Sequence, residues 1–169
     1  MELAEAVAQA VPASGVVAHK TPRCPLLVVE AASALDVLRF LRDDPAQSYK
    51  MLTDLTAVDR VAGEGKIEVV YTLRSLEHGN LLIVKAAVPA DNPVIDSATG
   101  LWHSANWAER EVWDMFGVHF EGHPDLRRIL MYEEFEGHPL RKDYPVDRRQ
   151  PLVEERDVIN DPWPSRDGL

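Results

Sequence analysis

Cysteine is almost missing from this chain of 169 residues. A single thiol, Cys24, cannot build an internal disulfide framework, complete a four-cysteine zinc site or hold an iron–sulfur cluster by itself. Long apolar runs are missing too. Stretches such as Leu81–Val84 are strand-sized and soon interrupted by charge, so no membrane span and no direct membrane insertion is expected. Basic charge is scarce: 18 Lys and Arg stand against 28 Asp and Glu, a net charge of −10. That balance excludes nucleic acid as the default partner, because phosphate binding needs a basic surface. The N-terminal Met1-Glu-Leu-Ala-Glu has no basic segment leading into an apolar run, so it reads as neither a signal peptide nor an organelle presequence. There is no Gly-x-Gly-x-x-Gly, no phosphate loop and no Gly-x-Ser-x-Gly. Ser75, Ser97 and Ser104 lack a supporting pattern, and Cys24 before Pro25 reads as a packed or surface thiol. What is present, 46% hydrophobic and 27% charged residues, is ordinary composition for a soluble domain in a reducing compartment.

The pattern along the chain predicts an α+β fold: a small mixed or antiparallel sheet covered by helices, then irregular chain. Residues 2–10 suit a short Ala-rich helix ended by Pro12 and Gly15, and Leu26–Val29 a buried strand. Ser33 with Asp36 three residues on resembles a capping box. Leu35, Leu38 and Leu41, with Val37, then recur at helical spacing until Pro45 forbids continuation. Met51–Val58 alternates as a half-buried strand, and Lys66–Arg74 and Leu81–Val88 pair through a Gly-containing loop. A helix is expected over Leu101–Phe116, with Leu101, Ala105, Ala108, Val112 and Met115 in one stripe and Gly117 as its stop. Projection at 100° per residue sets Glu109 and Glu111 on either side of that stripe and turns Arg110 and Asp114 away from it. Residues 1–149 are expected to form one domain. From Gln150 onward periodicity is lost, and an extended tail over 150–169 is expected.

Information concentrates late in the chain. Eight of the twelve aromatic residues and four of the six histidines fall between Trp102 and Tyr144, the mark of an active site or of a protein interface. Phe-Glu-Gly-His-Pro occurs twice, at Phe120–Pro124 and Phe135–Pro139. Each copy precedes a basic pair, Arg127-Arg128 and Arg141-Lys142. Two readings stand: a shared turn that presents similar basic clusters, or coincidence in a Gly- and Pro-rich loop. His119 and His123 have the spacing of a zinc helix, but Gly122 and Pro124 forbid the helix. A metal would then have to be gathered from loops with Glu121 or Asp125. Glu109, Glu111 and Asp114 invite either acid/base chemistry beside tryptophan or ion pairs with Arg110, Arg127, Arg128 or Arg141, and pairing is the commoner fate of such groups.

The run from Glu109-Arg-Glu-Val-Trp-Asp114 through Gly117 and Arg128-Ile-Leu130, followed by Gly137-His-Pro-Leu-Arg-Lys-Asp-Tyr-Pro145, resembles the 30 kDa subunit family of respiratory complex I, the C subunit of bacterial NADH:quinone oxidoreductase. Leu38–Pro45 and Met51–Asp59 resemble it as well, so the likeness spans roughly residues 30–146. The resemblance places the family motif, and with it a partner interface, at Glu109, Arg110, Glu111, Asp114, Phe116 and Gly117. It continues through Gly122, His123, Pro124, Arg127 and Arg128, then through Gly137, His138, Pro139, Leu140, Arg141, Lys142, Asp143 and Tyr144. It implies a structural subunit of the hydrophilic arm with no cofactor and no catalytic activity of its own, docked on a separate 49 kDa subunit beside cluster-bearing subunits. NADH, flavin mononucleotide, iron–sulfur clusters and quinone would belong to the assembled complex, on the cytoplasmic face of the bacterial inner membrane. The alternatives are the equivalent subunit of a related membrane-bound hydrogenase, deazaflavin-linked or photosynthetic complex, and a stand-alone acid/base enzyme using Glu109, Glu111 and a histidine.

Overall fold

The alternation over Lys66–Arg74 and Leu81–Pro89 has the expected outcome: two nine-residue antiparallel strands, buried at every second position. They lie at the centre of a sheet in a computed structural model that describes residues 2–21, 24–60 and 64–150. The helices are α1 (Glu2–Ala10), α2 (Ala34–Asp43) and α3 (Ala105–Phe116). The strands are β1 (Val17–Lys20), β2 (Pro25–Glu30), β3 (Met51–Asp59), β4 (Lys66–Arg74), β5 (Leu81–Pro89), β6 (Val94–Asp96) and β7 (His119–Glu121). The main sheet has the order β1-β2-β5-β4-β3. Only the β2–β5 pair is parallel, so the sheet is mixed. β6 and β7 form a separate parallel pair. The chain is thus α+β, as its patterning predicts; β1, β6 and β7 are too short to show a period and do not emerge from the sequence.

One side of the sheet carries the core. Leu27 and Val29 of β2, Ile67, Val69 and Tyr71 of β4, and Val84 and Ala86 of β5 pack with Val7 of α1, Val37, Leu38 and Leu41 of α2, and Ala105 and Val112 of α3. Two local expectations need correction. The capping box at Ser33 does not form: its hydroxyl donates to the Ala13 carbonyl at 3.0 Å, twenty residues back, instead of to its own helix. The helix expected from Leu101 begins only at Ala105, because Trp102 and Ser104 are drawn to β3 and its lead-in: the Trp102 indole donates to the Lys50 carbonyl at 3.1 Å and the Ser104 hydroxyl to that of Leu52 at 3.3 Å. At the other end Gly117 terminates α3 in the left-handed conformation, φ 78°, as expected. The tail expected beyond Gln150 lies outside the described residues.

Candidate functional site

The irregular chain from Leu126 to Gln150 would be free to wander without partners, and α3 supplies them. Asp114, expected to turn outward, is fully buried. One of its carboxylate oxygens accepts from Arg128 at 2.5 Å. The other accepts the backbone N–H groups of Ile129, Leu130 and Met131 at 3.1, 2.9 and 2.9 Å. The helix is therefore covered from two sides, by the sheet and by this segment, and an outward projection from one stripe fails. Burial works to raise the Asp114 pKa. The backbone donors of Met131 and Leu130, then Arg128 and Ile129, outweigh it and hold the group below its ordinary value.

Arg128 completes the node. Its guanidinium also donates to the carbonyls of Phe135 and Gly137 at 2.6 and 3.2 Å, and it lies 5.7 Å from the Trp113 ring centre and 5.5 Å from that of Phe135. A planar fork between two aromatic rings is a setting that suits Arg and not Lys. Arg110, also expected to face away, donates to the carbonyls of Arg127 and Arg128 at 3.1 and 3.0 Å. The Leu140 N–H bonds the Met115 carbonyl at 3.0 Å. The segment is thus templated on the helix.

Glu109 takes the opposite solution. It is fully buried, but neither it nor Glu111 reaches the basic pairs, which corrects the expectation of such an ion pair. Glu109 accepts from the Ser97 hydroxyl at 2.6 Å and from the Ala98 N–H at 2.7 Å, tying the chain after β6 to the middle of α3. Burial pushes its pKa up to about 7, against the opposing pull of those two hydrogen bonds. Glu111 is exposed. Ser97, without any pattern in the sequence, is a partner that only the fold could reveal; so is Asp59, buried at the end of β3, which accepts the Lys142 N–H at 2.7 Å.

The two Phe-Glu-Gly-His-Pro segments do the same thing at different ends of one helix. His123 contacts the Asn106 carbonyl at 3.1 Å and His138 the Asp114 carbonyl at 3.0 Å, and both turns pass through a left-handed glycine, Gly122 and Gly137. The turn half of the shared-turn reading thus describes the structure; its second half, similar basic clusters, does not. The basic pairs that follow diverge. Arg127 pairs with exposed Asp125, Arg128 enters the buried node, and Arg141 pairs with Asp143 while donating to the Ala90 carbonyl. His123 uses both ring nitrogens on the backbone, the second accepting from the Asp125 N–H at 3.0 Å, so it is not poised as a ligand. Among the described residues no three His, Cys, Asp or Glu side chains gather as a metal site would require. Phe116 packs on the core. Pro124 is exposed and Pro139 half-buried. Tyr144 stacks on Phe135 at 6.0 Å. Along the same segment Leu130 (56% exposed), Tyr132 (40%) and Leu140 (54%) face outward.

The charges of Asp114, Arg128 and Arg110 are spent on holding backbone in place. Comparison with known proteins gives the family. Residues 27–150 match the family described as respiratory-chain NADH dehydrogenase, 30 Kd subunit. The C subunit of NADH-quinone oxidoreductase from Paramagnetospirillum magneticum is 46% identical over 147 residues, covering 86% of this chain and 73% of that protein. Among solved structures, a trypsin-resistant fragment (1–134) of Nqo5 superposes with a TM-score of 0.62 at 29% identity, covering 75% of this chain and all of the fragment. A chain of the membrane-bound sulfane sulfur reductase, an archaeal respiratory membrane complex, superposes at 0.70 with 28% identity, covering 86% of this chain and 85% of that one. The chain belongs to the 30 kDa subunit family of respiratory complex I. Among the described residues no helix is long and apolar enough to cross a membrane.

Proposed function

We propose that this chain is the 30 kDa-type subunit of a proton-translocating NADH:quinone oxidoreductase, a structural component of its hydrophilic arm, held peripherally on the cytoplasmic face of the bacterial inner membrane. The observation that carries the reading is the family match over residues 27–150, which takes in every motif residue from Glu109 to Tyr144. In this reading NADH, flavin mononucleotide, iron–sulfur clusters and quinone are handled by neighbouring subunits, and this chain supplies contacts. Its docking surface toward the 49 kDa-type subunit is the segment pinned by Asp114 and Arg128, on which Leu130, Tyr132 and Leu140 stand exposed. Apolar anchors on a backbone already fixed lose little entropy on binding, which favours a permanent interface. The buried setting of Glu109, with both oxygens engaged, supports a scaffold over a stand-alone acid/base enzyme.

The test is purification of a tagged chain from detergent-extracted membranes, with mass spectrometry of what accompanies it. Stoichiometric 49 kDa-type and cluster-bearing subunits, with NADH:quinone activity in the same fraction, are expected. A chain that purifies alone overturns the reading. The likeness to the archaeal membrane complex motivates one second reading, the equivalent subunit of a related machine. Co-purified cluster-bearing subunits that transfer electrons between a pair other than NADH and quinone would select it.

A further inference from the structure

The core occupies one side of the main sheet; the other side carries an apolar strip among its charged and hydroxyl residues. Register places Val17 beside Val28 and Val28 beside Lys85, with Val70 next in the row. In the neighbouring row Leu26 stands beside Ile83. These positions alternate with the buried Leu27, Val29, Val84 and Val69, so they point away from the core. Where β2 and β5 end and β4 begins, this side deepens into a groove of about 580 Å³, lined by Val17, Val28 and Ala87 and by the exposed Glu30, Glu64 and Lys66.

The charges of this side are otherwise matched: Lys85 lies 3.0 Å and Arg60 3.6 Å from Glu68. In the groove they are not. Glu30, Glu64 and Lys66 have no ion pair or side-chain hydrogen bond among the described residues, so two carboxylates and one ammonium line the groove. A chain that covered the apolar floor would strip water from these groups, and the carboxylate left over would resist burial without a cation. A basic side chain meets both demands, its aliphatic stem on the valines and its head between the carboxylates. Resting on the reading that the chain is a subunit of an assembled complex, we propose that this groove receives one Arg or Lys side chain from an apolar segment of a neighbouring subunit, as a second interface on the side of the sheet opposite α3.

The experiment uses the assembled complex. A photo-crosslinking residue, p-benzoylphenylalanine, replaces the exposed Val17 in one preparation and Leu140 in another, and linked peptides are sequenced. Val17 is expected to link to a segment of another subunit that carries Arg or Lys among aliphatic residues. In parallel, Glu30→Gln combined with Glu64→Gln keeps shape and removes charge. Release of this double variant from the purified complex at raised salt is expected to be about tenfold faster than that of the unaltered chain. The proposal is overturned if Leu140 links to a partner while Val17 links to nothing or to a segment without a base, or if the double variant is released at the unaltered rate. If neither position links and no other subunit accompanies the chain, the reading as a subunit itself fails and this interface with it.

Discussion

Glu109 and Asp114 lie five residues apart on α3 and both are wholly buried, yet only Asp114 has a guanidinium beside it. Five residues turn a helix by some 140°, so the two carboxylates leave it on different sides. Asp114 meets the C-terminal segment with four donors, one of them charged. Glu109 meets the chain after β6 with two neutral ones. One helix thus clamps both the segment before it and the segment after it, by carboxylates whose pKa values move in opposite directions.

Arg128→Ala leaves the Asp114 carboxylate buried with backbone donors alone. Removing one member of a buried pair costs about 3–5 kcal/mol, and the three remaining N–H bonds favour the low end. Urea unfolding of the purified chain measures it. Arg128→Lys restores charge but not the fork that reaches Phe135 and Gly137, and should recover only part of the loss. A loss below about 1 kcal/mol for the alanine variant would place the pair among ordinary surface bridges.

Glu109 gives the pH profile a definite sign. Its pKa in the folded chain stands at about 7, above the ordinary 4.5. Between those values the unfolded chain has released a proton that the native chain still holds, so stability falls as pH rises from about 4.5 to 7 and levels off above. The full contribution is of the order of 3 kcal/mol. Glu109→Gln should flatten the unfolding free energy across that window while leaving acid unfolding, where Asp114 is protonated, in place. A variant whose slope matches the parent would show that Glu109 stays charged in the fold.

Gly117 and Gly122 share a left-handed backbone, φ 78° and 79°, but not their surroundings. A Cβ on Gly117 would lie 2.6 Å from the His138 ring, and one on Gly122 would meet nothing within 4 Å. Gly122→Ala should therefore show only the backbone penalty of about 1–2 kcal/mol. Gly117→Ala should lose more and should also release His138 from the Asp114 carbonyl, visible as a changed imidazole resonance. Equal losses would mean that His138 moves aside freely.

Leu140→Glu changes an exposed side chain and should alter the stability of the chain by no more than about 0.5 kcal/mol. Assembled complex on a native gel should nonetheless fall sharply. Arg141→Ala, which removes bonds to Asp143 and the Ala90 carbonyl, should act in the same direction. In both variants, NADH:quinone activity divided by the amount of assembled complex should stay constant. Normal assembly with lost turnover would assign this surface a part in the chemistry.

Much of the fold is legible because its signals are local. Leu38 and Leu41 face the core at helical spacing, the β4–β5 hairpin alternates, and Gly117 stops α3 where a left-handed residue is needed. Ser33 misleads because a hydroxyl takes whichever acceptor the fold brings near, here Ala13. Asp114 misleads because projecting a helix onto one stripe assumes a single covering surface. The second cover is irregular chain with no period to detect. The duplicated Phe-Glu-Gly-His-Pro is visible as text, but that both histidines bond carbonyls of the same helix is not.

The order of residues alone therefore determined the α+β class, the main helices and strands, and the family, through a motif long enough to be specific. Tertiary structure decided which carboxylate is paired, which has its pKa raised by burial, and which apolar residues are left outside. The physical reason is distance. Periodicity and capping act within a few residues, where the chain itself fixes the neighbours. Charge pairing and desolvation depend on groups such as Ser97 and Glu109, Asp114 and Arg128, or Asp59 and Lys142, which only folding brings into hydrogen-bonding contact.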